Sequence, residues 1–104
     1  MTEFNHEVIL CIINNGFSDA VMDAAREFGA SGGTVINARG TASLESEKLF
    51  NITVQPEKEI VMIVVKKEIR DDVLHALYKK VGLETPGQGI AFSVPVTDVT
   101  GIRD

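Results

Sequence analysis

The residues best equipped for binding chemistry lie between Gly82 and Val96, in the run G-L-E-T-P-G-Q-G-I-A-F-S-V-P-V. Pro86, Gly87, Gln88 and Gly89 form a loop that passes directly into an apolar strand. Glycines let the backbone take positive φ, and successive N–H groups turned toward one point make a nest for an anion. The loop is therefore a candidate grip for a phosphorylated ligand, although the same Pro-Gly-x-Gly pattern also serves as a plain turn. No nucleophile stands beside a base, and no carboxylates cluster for a metal. His6 lies near the terminus and reads as solvated; His75 falls on a helical stretch beside its apolar stripe. Two scattered histidines do not make a zinc site, which wants three or four ligands. Cys11 is the only cysteine and sits in an apolar run, so it reads as a buried, inert thiol.

The bulk properties narrow the function classes. A chain of 104 residues holds one domain with one core, residues 1–104. The net charge of −5 argues against nucleic acid or an anionic membrane as partner, while leaving room for a small anion held by a few local cations. The polar, acidic start M-T-E-F-N-H-E-V is unlike a signal peptide, and no apolar run nears the roughly 18 residues of a membrane span. The lone cysteine and these features predict a cytoplasmic protein.

The elements that would position the loop follow from periodicity. Val8 to Ile13 is a continuous apolar run, suited to a strand buried on both faces. Ser18 as N-cap and Asp19 open a helix over 18–28, with Phe17 and Met22 placed for a hydrophobic staple and Phe17, Val21, Ala25 and Phe28 near helical spacing. Gly33–Arg39 reads as strand two. Thr41–Lys48 reads as an exposed loop, carrying Ser43, Glu45, Ser46, Glu47 and Lys48. Ile60–Val65 is strand three, with Pro56 marking a bulge or an edge before it. Ile69, Val73, Leu77 and Val81 recur every four residues and predict a helix over 67–81, closed by Lys79, Lys80 and Gly82. The glycine loop follows, then strand four over 90–96 and a tail over 97–104. The order β-α-β-β-α-β predicts an α+β, ferredoxin-like domain: an antiparallel sheet with both helices on one face. Strands one and three are apolar on both sides, so the uncovered face predicts self-association, most simply a closed ring.

With these elements in order, the chain resembles the PII nitrogen-regulatory signalling proteins. Pro86-Gly87-Gln88-Gly89-Ile90-Ala91-Phe92 resembles their G-D-G-K-I-F loop and strand. Gly33-Thr34-Val35 with Arg39-Gly40 resembles their second strand and the base of their T-loop. Lys58 to Val65 (K-E-I-V-M-I-V-V) resembles their K-x-K-I-E-I-V-V strand, and Gly101-Ile102-Arg103 resembles their R-I-R tail. The resemblance implies a homotrimer with an adenine nucleotide in each cleft between neighbours. It implies backbone contacts to phosphate from Gly87, Gln88 and Gly89, and charge from Lys58 and Arg103. Thr34 would sit near the base of the site, and Gly40 and Thr41 would start the T-loop. ADP, AMP or ATP would be effectors, with no obligatory cofactor.

The chain also departs from the pattern. Ile90 replaces the loop cation, Gln88 the acidic residue, and Gly101 the first tail arginine. Each charge-assisted contact contributes about 1.5–3 kcal/mol, so losing two favours a less charged ligand such as AMP or ADP. Arg39 can compensate, because a guanidinium takes phosphate bidentately. The T-loop is shortened, and the only tyrosine, Tyr78, falls on the second helix, so loop uridylylation is not expected. The implied function is non-enzymatic sensing, with Ser43, Glu45, Glu47 and Lys48 docking a membrane transporter or an enzyme. Two alternatives share the fold: a small phosphatase or weak ATPase, and a trimeric metal-handling protein like the divalent-cation-tolerance family.

Overall fold

The computed structural model describes residues 5–41 and 56–102. Its elements are β1 (His6–Asn14), α1 (Ser18–Glu27), β2 (Thr34–Arg39), β3 (Glu57–Lys66), a single 3-10 turn (Lys67–Ile69), α2 (Arg70–Lys80) and β4 (Gly89–Pro95). The strands form one sheet in the order β2-β3-β1-β4, antiparallel throughout. This is the expected ferredoxin-like arrangement, with β1 and β3 central.

Period-two alternation divides the sheet into two faces. On β1, Ile9, Cys11 and Ile13 are fully buried; on β3, Val61, Ile63 and Val65 are buried. They share one core with Val21, Ala24 and Ala25 of α1 and Val73, Ala76 and Leu77 of α2. The intervening residues point the other way and form apolar rows across the strands. One row runs Ile36, Ile60, Ile12, Ile90, and the next runs Thr34, Met62, Leu10, Phe92. Val64, Val8 and Val94 form a third. Ile36, Phe92 and Val94 are each about 40% exposed and Ile90 59%, so no layer among the described residues covers that face.

Several local expectations shift. Ser18 is the first helical residue instead of the cap: Phe17 occupies the N-cap position, and its carbonyl accepts from the Val21 N–H at 3.0 Å. Phe17 and Phe28, expected on the buried stripe, are 40% and 39% exposed; Val21, Met22, Ala24 and Ala25 form the face that is buried. The helix is too short for residues at both of its ends to stay over the core. The second helix divides into the 3-10 turn and α2, and neither Lys66 nor Ile69 provides a side-chain cap. Its start is pinned by Arg70, whose Nη1 donates to Glu7 Oε2 at 2.6 Å. The Glu7 side chain is only 6% exposed, so this pair satisfies a buried carboxylate on β1. Asp71, hydrogen-bonded to Arg70 at 3.0 Å, and Glu7 together raise the guanidinium pKa. His6, expected to be solvated, is buried, because β1 begins there and pairs it with Lys66.

Candidate functional site

Two turns shape the glycine loop. The Thr85 N–H donates to the Gly82 carbonyl at 2.8 Å, and the Gln88 N–H to the Thr85 carbonyl at 3.2 Å. Gly87 sits at φ 84°, a conformation that side chains disfavour. Gly89 lies against β1: a Cβ built there would be 2.3 Å from the Ile12 carbonyl oxygen. The Gln88 side chain folds back, and its Nε2 donates to the Val81 carbonyl at 2.9 Å, satisfying the end of α2.

The loop is then tied to the neighbouring strands. Asn14, the last residue of β1, donates from Nδ2 to the Gly87 carbonyl at 3.0 Å and to Gln88 Oε1 at 3.4 Å. The Lys58 Nζ donates to Asn14 Oδ1. Register explains the meeting, since Asn14 pairs with Lys58 and Lys58 with Ala38. Gly40 completes the cluster. Its N–H donates to the Pro56 carbonyl at 2.7 Å, which closes the base of the β2–β3 connection. A Cβ on Gly40 would lie 3.1 Å from both Cγ and Cε of Lys58, so the lysine stem passes tightly beneath it. Arg39 pairs with Glu57 beside this cluster and is exposed, as is Thr41.

The structure thus gathers Lys58, Gly40, Gly87, Gln88 and Gly89 at one end of the open face, with Arg39 and Thr41 adjoining. Thr34 is elsewhere. It pairs with Met62, four residues along β3 from Lys58, which separates the two levels by roughly 13 Å. There it lines a cleft of about 430 Å³ with His6, Gly33, Met62, Val64 and Ile102. That volume suits a small ligand or one end of a larger one. Ser43, Glu45, Ser46, Glu47, Lys48 and Arg103 lie outside the described residues. Asn14 was not among the expected site residues. The available signal was its parity: it continues the open-face series Val8, Leu10, Ile12 as a polar residue at the strand's end.

Cys11 is fully buried, and burial pushes its thiol up to about 11. Tyr78 is on α2 and 48% exposed. Among the described residues no three His, Cys, Asp or Glu side chains gather to hold a metal. No helix among them is long and apolar enough to cross a membrane.

The strand order, the two helices and the glycine loop between α2 and β4 define a ferredoxin-like domain with a preformed loop at one end of its open face. The family model for nitrogen regulatory protein P-II matches residues 7–104, and the chain belongs to that family. Among solved structures, it is similar to Arabidopsis thaliana PII bound to citrate, with a TM-score of 0.71 and 24% identity, covering 94% of this chain and 81% of that one. It is also similar to CPII, a nitrogen regulatory PII-like protein from Thiomonas intermedia K12 bound to ADP, AMP and bicarbonate. That match has a TM-score of 0.73 and 14% identity, covering 97% of this chain and 100% of that one. No curated protein matches the sequence.

Proposed function

We propose that this chain is a non-enzymatic regulatory protein that binds an adenine nucleotide, AMP or ADP in preference to ATP, between neighbouring copies of a homotrimer. The observation that carries this reading is the hydrogen-bonded cluster that joins the glycine loop, through Asn14, to Lys58 and the base of the β2–β3 connection. A bound phosphate at that cluster would touch the loop and the connection at once. Occupancy is thereby coupled to whatever the connection docks against.

Two further features support an interfacial site. The cleft at Thr34 and the cluster at Lys58 share one sheet face but lie at different levels along it. A ring with head-to-tail contacts sets one patch of a protomer against a different patch of its neighbour. Copies packed through the open apolar rows would bring the loop of one against the cleft of the next, each supplying half of the site. Ile90 stands beside Ile12 in an apolar row, so the position after Gly89 serves the sheet face and adds no cation. Fewer cations favour fewer phosphates. The ADP and AMP found with the Thiomonas protein are consistent with this preference.

The partner reading the signal is proposed to be an enzyme or a transporter, docked by the 41–48 segment in a ligand-dependent state. A ligand shifts that state only by its differential affinity for the two forms. Thermal shift with AMP, ADP and ATP tests the binding step. ADP and AMP are expected to raise the melting midpoint, with ATP no more effective. A flat response across the panel, with no calorimetric heat, overturns the reading.

A further inference from the structure

Lys58 and the glycine loop come from different parts of the chain, and one side chain joins them. Asn14 accepts from the Lys58 ammonium with its oxygen and donates to the Gly87 carbonyl and Gln88 Oε1 with its nitrogen. The amide orientation is dictated by its neighbours: an ammonium only donates and a backbone carbonyl only accepts. The bonds run in one direction, from Lys58 to Asn14, from Asn14 to Gln88, and from Gln88 to the Val81 carbonyl at the end of α2. Chains ordered this way polarise one another. The stem of the same lysine runs close beside Gly40, where an added Cβ would meet its Cγ and Cε at 3.1 Å.

We propose that Asn14 is a positioning residue of the ligand site, presenting the Lys58 cation and the Pro86–Gly89 loop to the anion as one preset unit. The inference rests on the nucleotide-binding reading above and adds a residue with a distinct role. Asn14 itself need not touch the ligand. An ammonium carries three donors, so holding Asn14 does not exhaust Lys58. Presetting lowers the ordering cost that binding would otherwise meet. Few other side chains fit the position. Aspartate could hold the lysine but could not donate to Gly87, and it would bring negative charge to an anion site. Alanine would release both arms.

A double-mutant cycle read by calorimetry with ADP tests this. Asn14→Ala and Lys58→Met are each expected to weaken ADP by about tenfold, and the double variant by little more than either alone, because the two act as a unit. Asn14→Asp, nearly isosteric and so a check should Asn14→Ala fold poorly, is expected to weaken ADP more than Asn14→Ala does. Losses in the cycle that multiply to about a hundredfold overturn the proposal, as does wild-type affinity in either Asn14 variant. Wild-type protein that binds ADP while the Asn14 variants bind it equally well defeats this inference alone. Wild-type protein that gives no heat with ADP defeats the nucleotide reading and this inference with it.

Discussion

A Cβ on Gly89 would meet the Ile12 carbonyl oxygen at 2.3 Å, and backbone cannot move aside as a flexible side chain can. Gly89→Ala is expected to destabilise the chain by about 1–3 kcal/mol and to displace the loop from β1. Gly32, with nothing within 4 Å of its added Cβ, is the control. Gly32→Ala should be neutral or stabilising by up to about 1 kcal/mol, through the unfolded state. Urea denaturation of both variants checks the contrast, and equal effects would contradict the close approach. Cys11 makes a second prediction at this scale. Its thiol is raised from 9.0 to about 11 by burial, so the unfolded chain loses that proton first as pH rises. The protective effect is complete below pH 9 and is lost as pH climbs through the folded value. Wild-type protein should lose about 2 kcal/mol more than Cys11→Ala between pH 8.5 and 11. The sequence made the thiol's burial legible, because Cys11 stands inside an apolar run. It concealed the role of Asn14, whose partner Lys58 is 44 residues away and reached only through strand register.

At the level of the elements, two ion pairs show how placement decides strength. Arg70 joins the first turn of α2 to a buried carboxylate on β1, whereas Lys80 joins Glu27 at the surface, where both side chains are about half exposed. Arg70→Met would strand the Glu7 carboxylate in the protein, and breaking a buried pair is strongly destabilising. It should lower the denaturation midpoint clearly, while Lys80→Met should change stability by no more than about 1 kcal/mol. Comparable midpoints for the two variants would argue against the pin at α2. The order of elements was readable because the apolar runs were short or periodic and were set apart by polar residues, Gly, Asn or Pro. What failed was the ends of helices. Phe17 and Phe28 fit the helical period, but the period does not reveal that their positions lie at the rim, 40% and 39% exposed. His6 was read as solvated from its place near the terminus, whereas β1 already begins there and the side chain is buried. The resemblance placed Thr34 near the base of the site; in the fold, five residues of extended strand separate it from Arg39, and it lines the cleft with His6 and Met62.

For the whole molecule, the open face is the feature that most needs an explanation. Three apolar rows cross it, and Ile36, Ile90, Phe92 and Val94 are exposed in the single chain. Patches of this kind mark association surfaces. Ile12 lies at the centre of one row, paired with Ile60 on one side and Ile90 on the other. Ile12→Lys is therefore expected to give monomers by light scattering and, if each chain supplies only part of the site as proposed, to lose nucleotide binding with them. Retained binding by a monomeric variant would place the complete site within one chain. Native mass spectrometry with ADP reads assembly and ligand in one spectrum. The expected species has three times the mass of the 11.3 kDa chain and carries up to three ADP molecules, with no liganded monomer. A spectrum of monomers, or of trimers that take up no ADP, would contradict it.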